Sequence, residues 1–267
     1  MNDQNEQSDV NHADHQKASG PSVDPEEVEK FSKISAEWWD PFGKFKPLHK
    51  FNPTRLGYIR DGICAHFQRD RRETKPLMDI TLLDVGCGGG LISEPMARLG
   101  ATVTGLDASE RNIAVARYHA QQGGLEINYR CETVETLGAR DQTKFDVVLN
   151  LEAVEHVADP DLFLSESARL VAPGGLMIVS TINKTLKAFA LAKVGAEYVL
   201  GWLPRGTHDP KKFLKPSEIE KPLEAAGLSV TGKAGVAYNP FLDAWRIVED
   251  TDVNYMVVAM RPRASEF

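Results

Sequence analysis

Beyond Pro76 the chain alternates short apolar runs with longer stretches of helical spacing. The runs are Ile80–Val85, Thr102–Leu106, Ile127–Cys131, Phe145–Leu149 and Leu176–Thr181. Between them, Leu91–Leu99, Asn112–Gln122 and Leu162–Leu170 place apolar residues three or four apart. Short buried runs alternating with helices predict βαβ units, hence an α/β fold with a mostly parallel sheet. Two late runs, Leu228–Gly232 and Asn254–Met260, bring the predicted sheet to seven strands with helices on both faces.

The N-terminal third reads differently. Residues 1–25 are polar with almost nothing to bury, and are expected to be a disordered tail. Asp24 followed by Pro25 reads as a helix N-cap and first helical position. Val28, Phe31, Ile34 and Trp38 then follow at helical spacing, and after a break from Asp40 to Pro47 a second helix is expected over Asn52–Phe67. Residues 26–267 form one expected domain, with 26–75 as a helical cap and 184–212 as an insert. The insert is too long for an ordinary crossover. Within 184–206, Lys184, Lys187 and Lys193 accompany Phe189, Tyr198 and Trp202. That composition suits a helix lying on an anionic membrane surface, and equally a buried lid over an active site.

Composition narrows the function. Hydrophobic residues make up 42% and charged residues 26% of 267, which suits one sizeable globular domain. The 31 basic and 38 acidic residues give a net charge of −7, which argues against a general nucleic-acid binder. Cys64, Cys87 and Cys131 are widely spaced and form no disulfide framework or metal knuckle. No run reaches the ~18 apolar residues of a spanning helix. The first 25 residues have neither the apolar core of a secretory signal nor any arginine for a mitochondrial one. The expected location is a bacterial cytoplasm.

The chemistry concentrates in Leu82-Leu83-Asp84-Val85-Gly86-Cys87-Gly88-Gly89-Gly90. A strand ends in glycines and a helix follows, so backbone N–H groups meet a ligand with no Cβ in the way. The dinucleotide pattern G-x-G-x-x-G fails in both registers, because Leu91 and Ser93 stand where its third glycine is needed. The pattern D-x-G-x-G-x-G fits Asp84, Gly86, Gly88 and Gly90. It resembles the first motif of class I S-adenosylmethionine-dependent methyltransferases; the plain alternative is a glycine-rich turn. Asp107, ending the next strand, can accept both hydroxyls of a ribose or cap the helix that follows. Residues Glu132–Glu135 follow the third strand, where enzymes of that class contact adenine.

Glu152, Glu155 and His156 follow the fourth strand. In a helical turn they share one face, at the edge where open α/β sheets bind ligands. Two carboxylates and an imidazole can hold a divalent cation such as magnesium. Alternatively, His156 is a general base with a glutamate orienting it, or the group is merely a capped turn.

Further segments make the resemblance specific. They are Phe45–His49, Asn52–Ile59, Leu83–Gly90, Gly195–Tyr198, Lys211–Phe213 and Asp252–Met256. Together they resemble the ubiquinone biosynthesis O-methyltransferase family, from about residue 28 to 260. The resemblance implies a Rossmann-like class I methyltransferase fold and S-adenosylmethionine as cofactor. It implies methylation of phenolic hydroxyls on 2-polyprenyl-6-hydroxyphenol and 3-demethylubiquinol. It places cofactor contacts on Arg55, Gly86, Asp107 and Leu151, and the metal ligands of mitochondrial relatives on Glu152, Glu155 and His156. At 151 this chain has leucine where some relatives have methionine or serine, so only a backbone or apolar contact survives there. Implied partners are the polyprenylated substrate, the inner-membrane surface and other ubiquinone-biosynthesis proteins. The competing readings are another small-molecule C- or N-methyltransferase and a non-catalytic scaffold.

Overall fold

The computed structural model describes residues 19–140, 143–188, 210–239 and 241–263. Two helices come first, α1 (Pro25–Lys33) and α2 (Lys46–His66). Asp24 caps α1 as expected, its carboxylate accepting from the backbone N–H of Glu26 and Glu27. The second helix begins earlier than expected. Pro47 sits in its first turn, where no intrahelical N–H is needed, and Pro53 is tolerated inside it because Phe51, Asn52 and Arg55 are anchored by burial.

The α/β portion runs β1 (Thr81–Val85), α3 (Ser93–Arg98), β2 (Thr102–Asp107), α4 (Glu110–Gln122), β3 (Asn128–Cys131), α5 (Val134–Arg140) and β4 (Phe145–Leu151). It continues with α6 (Pro160–Arg169), β5 (Val171–Ile182), a helical turn α7 (Leu186–Ala188), α8 (Pro216–Ala225), β6 (Ser229–Asn239), β7 (Ala244–Val248) and β8 (Asn254–Met260). The sheet order is β3-β2-β1-β4-β5-β8-β6-β7. The first five strands are parallel, and β8, β6 and β7 pair antiparallel. The sheet thus has eight strands rather than seven. The additional strand, β7, is an edge strand with mixed polar content that leaves no clean alternation in the sequence.

Both faces of the sheet are covered, which is why its central strands read as continuous apolar runs. Along β4, Val147, Leu149 and Leu151 pack with Ile59, Ile63 and Met96 of α2 and α3. Val148 points the other way, into a core with Leu164, Ile219 and Leu223 of α6 and α8. Each fully buried side chain of this kind contributes about 1.5–3 kcal/mol. The strand order reverses between β1 and β4, so their carboxyl ends diverge and leave a crevice.

The tail reading ends sooner than expected. Residues 1–18, and residues 189–206 of the insert with Phe189, Lys193, Tyr198 and Trp202, lie outside the described residues. Residues 19–24, however, pack onto the domain. Ser22 is buried, its N–H donates to Glu135 Oε1 at 3.3 Å, and its carbonyl accepts from Ala158 N–H at 2.8 Å. Composition missed this because the partners are distant in sequence.

Candidate active site

The crevice is floored by the loop after β1. The N–H groups of Gly86 and Cys87 both donate to Leu106 carbonyl at 2.8 Å, pinning the loop to β2. Gly86 (φ 74°) and Gly88 (φ 53°) adopt left-handed backbone that favours glycine. Space is equally restrictive. A Cβ at 86 would lie 2.6 Å from Ala153 Cβ, and one at 88 would lie 2.5 Å from the Trp38 ring. Gly90 closes the loop by donating to Cys87 carbonyl at 2.9 Å.

Asp107 joins the loop to the second strand. Its Oδ2 accepts from Gly88 N–H at 3.0 Å, and its Oδ1 accepts from Ser109 N–H at 2.8 Å and Asn112 Nδ2 at 3.1 Å. Trp38 Nε1 donates to Asn112 Oδ1 at 2.9 Å, which adds the N-terminal segment to the same network. Burial pushes the Asp107 carboxyl up, opposed by those donors. The helix cap here is Ser109, not Asp107.

Asp84 does not line the crevice. It lies buried behind the loop, accepts from Ser93 Oγ at 2.6 Å and so ties β1 to α3. Burial pushes its pKa up to about 6. Leu151 is also buried, in the core against α2.

The acidic cluster departs most from expectation. Glu152 has φ 54°, and Val154–His156 is a single 3₁₀ turn, so the three side chains do not share a helical face. Glu152 Oε1 accepts from Arg55 Nη1 at 3.0 Å and from Ser180 Oγ at 2.7 Å. Glu155 is buried and accepts from Thr181 Oγ1 at 2.9 Å. Burial, then repulsion from Glu152, pushes the Glu155 carboxyl up. His156 turns toward α1. A divalent cation needs several oxygens converging on one point, and each of these groups is already directed to a different partner. Among the described residues no group of three or more His, Cys, Asp or Glu is arranged to hold a metal ion. The expected metal set of Glu152, Glu155 and His156 therefore does not fit.

The arrangement supplies a Glu–His pair instead. Glu27 of α1 lies 3.0 Å from His156 Nδ1, and its other oxygen accepts from Lys212 Nζ at 3.1 Å. Lys212 also donates to Asp24 at 2.9 Å. The bond from His156, helped by Lys212, holds the Glu27 pKa down at about 2 against the burial that raises it. An ionised carboxylate can only accept, so Nδ1 carries a proton, which leaves Nε2 as the nitrogen able to take one up. Phe31 packs edge-on against the imidazole, with centroids 4.9 Å apart. In the sequence Glu27 registers only as an acid in a helix's first turn, and Trp38 as a core residue.

The crevice opens to solvent and has about 140 Å³ of accessible volume. Gly86, Gly88, Asp107, Glu152, His156 and Glu27 all line it. Arg55 is buried beneath, and its Nε–H has no partner.

Known proteins resemble this chain over most of its length. A family model described as a methyltransferase domain matches residues 83–179. The ubiquinone biosynthesis O-methyltransferase of Brucella anthropi is 60% identical over 241 residues, covering 90% of this chain and 97% of that protein. The chain belongs to the ubiquinone biosynthesis O-methyltransferase family. Family members so named from Parvibaculum lavamentivorans and Maricaulis maris are 58% and 60% identical, over 92% and 91% of this chain and 97% and 94% of theirs. The fold of the family extends to more distant enzymes. Magnesium protoporphyrin IX methyltransferase from Synechocystis, solved with bound SAH, superposes with a TM-score of 0.59 at 20% identity, over 88% of this chain and 99% of that one.

Proposed function

We propose that this chain transfers a methyl group from S-adenosylmethionine to phenolic hydroxyls of polyprenylated rings in ubiquinone synthesis. The acceptors are 2-polyprenyl-6-hydroxyphenol and 3-demethylubiquinol. The observation that carries the mechanism is the Glu27–His156 pair, which lines the same crevice as the glycine loop and Asp107. When bound, S-adenosylmethionine supplies a methyl group on a sulfonium, already activated for in-line displacement.

The residues of this chain fit that cofactor. The loop at Gly86 and Gly88 lets a ligand approach the backbone at positions where a Cβ has no room. Asp107 lines the crevice with acceptor capacity for ribose hydroxyls. The unpartnered Nε–H of Arg55 is a buried donor suited to a carboxylate.

The remaining task is the acceptor's proton. A free phenol has a pKa of about 10, and phenolate is the better nucleophile. His156 takes this proton on Nε2, while Glu27 fixes the tautomer and steadies the imidazolium that forms. Lys212 and Asp24 hold Glu27 in place. No step passes through a metal, because Glu152 and Glu155 serve Arg55, Ser180 and Thr181.

The substrate's isoprenoid tail resides in lipid, so the enzyme works at the cytoplasmic surface of a bacterial inner membrane. No helix among the described residues is long and apolar enough to cross a membrane. The lysines and aromatics of 184–206 support surface attachment. Mass spectrometry of quinone intermediates after deletion of this protein tests the function. Accumulation of the demethylated precursors is expected, and a normal quinone profile would overturn it. A product methylated at carbon or nitrogen would favour the competing enzyme class, and failure to bind S-adenosylmethionine would favour a scaffold.

A further inference from the structure

The strand register places one more element at the mouth of the crevice. Ile182, the last residue of β5, pairs with Asn254 of β8, and Asn254 pairs with Val236 of β6. The β6–β7 hairpin therefore continues from Ala237 to Ala244 past the carboxyl end of β5. This is the edge where the crevice opens and where the chain leaves β5 after Ile182. At the hairpin tip Phe241 is 95% and Leu242 74% exposed. With Leu186 (89%), just beyond β5, and Phe42 (86%), just before α2, they are the four most exposed large hydrophobic side chains among the described residues. All four belong to this edge, because α2 starts here. Lys50 in its second turn holds Asp243 of the hairpin at 2.7 Å, and His66 at its far end reaches Gly174 at the start of β5.

The tip is held from below. Asn239 Oδ1 accepts from the N–H of Phe241 at 2.9 Å, and Tyr238 donates its hydroxyl to Asp243 at 2.6 Å. Thr54 donates to Trp245 carbonyl at 3.1 Å, and Trp245 packs on Phe51 with centroids 5.0 Å apart. Polar groups thus fasten the turn to α2 while its two apolar side chains project outward. Lys46 and Lys50 face Asp243 at the tip, Arg246 follows on β7 opposite Ala237, and farther along the edge Lys187, beside Leu186, pairs with Asp250 and Asp252.

We propose that the β6–β7 hairpin tip is a lipid-contacting wedge, with Phe241 and Leu242 entering the headgroup boundary of an anionic bilayer. It is distinct in sequence from the 184–206 segment. Adjacent exposed hydrophobes in a fastened turn mark an interaction site, and flanking cations match anionic headgroups. Placed on the crevice edge, the wedge turns the active-site mouth toward the membrane. This proposal rests on the proposed function, in which the acceptor's tail lies in lipid.

The test compares the full chain with its Phe241→Ser, Leu242→Ser double variant, leaving 184–206 intact. Flotation with vesicles of equal phosphatidylethanolamine and phosphatidylglycerol should show the vesicle partition coefficient of the variant lowered by about tenfold. Turnover of a long-tail phenol presented in vesicles should fall in parallel. Turnover of a short-tail phenol in buffer, and S-adenosylmethionine affinity, should not change. Equal partition of the two proteins would overturn the wedge. So would a wild-type dimer that the double variant dissolves into monomers, with no flotation by either, since the tip would then face a second copy. A wild type that floats but methylates neither phenol overturns the proposed function and leaves the partition result to decide the wedge.

Discussion

Arg55 in α2 and Glu152 at the end of β4 form a buried ion pair at 3.0 Å, beneath the floor of the crevice. Burial lowers the Arg55 pKa, and the charge of Glu152 opposes that effect. Removing one partner strands the other's charge away from water. Arg55→Met is expected to destabilise the fold by about 3–5 kcal/mol and to weaken S-adenosylmethionine binding. Adding Glu152→Gln should recover much of the stability but not the binding. Denaturant melts and calorimetric titration of the single and double variants separate the two effects.

The Glu27–His156 pair predicts a split between turnover and binding. His156→Ala should lower kcat by roughly 10²-fold or more, the usual range for a lost general base. Glu27→Gln keeps the helix and shape but removes the fixed negative charge, and should lower kcat by about tenfold. Neither change should move cofactor affinity by more than about twofold, since neither group belongs to the loop. If Glu27→Gln raises KM with kcat unchanged, the glutamate only closes the crevice.

Chelation is expected to leave activity intact. The three residues that family resemblance assigns to a metal are already directed to Arg55, Thr181 and Glu27. Turnover should be unchanged after dialysis against EDTA. A loss restored by magnesium would show that these side chains rearrange around a cation.

The loop makes no room for a side chain. Gly88→Ala places a Cβ against Trp38 at a left-handed φ, and should raise the S-adenosylmethionine Kd by roughly tenfold or more, in line with overpacking costs of about 1–3 kcal/mol. Asp107→Ala should weaken binding similarly and also loosen Gly88 and Asn112. Wild-type affinity in either variant would remove the loop from the cofactor site.

Asp84 predicts a pH dependence of stability. Its folded pKa, about 6, is raised above the ordinary carboxylate value of 3.8 by burial. The protonated form is therefore favoured on folding. That stabilisation is present in full below about pH 4 and is lost as pH rises through about 6. Asp84→Asn retains an acceptor for Ser93 without the buried charge. It should gain on wild type by roughly 2 kcal/mol between pH 4 and 7, read from chemical denaturation at several pH values. A difference independent of pH would mean that Asp84 stays ionised throughout.

The sequence by itself determined the sheet's central strands, because residues buried on both faces must read as apolar runs. It also determined the glycine loop and the Asp24 cap, whose conformations depend on residues a few positions apart. Asp107 was legible because a strand end fixes where its carboxylate lies. What only the tertiary structure decided was the partnership of groups distant in the chain. Glu27 meets His156, Lys212 meets both Asp24 and Glu27, and Trp38 covers Gly88. The spacing of Glu152, Glu155 and His156 suggested one shared face, but a left-handed residue and a 3₁₀ turn sent the three side chains to separate partners. The edge strand β7 was hidden for a similar reason, since its pairing is supplied by β6 and not by any pattern of its own. Periodicity records which residues a local element buries; it does not record which distant side chain will neutralise a charge.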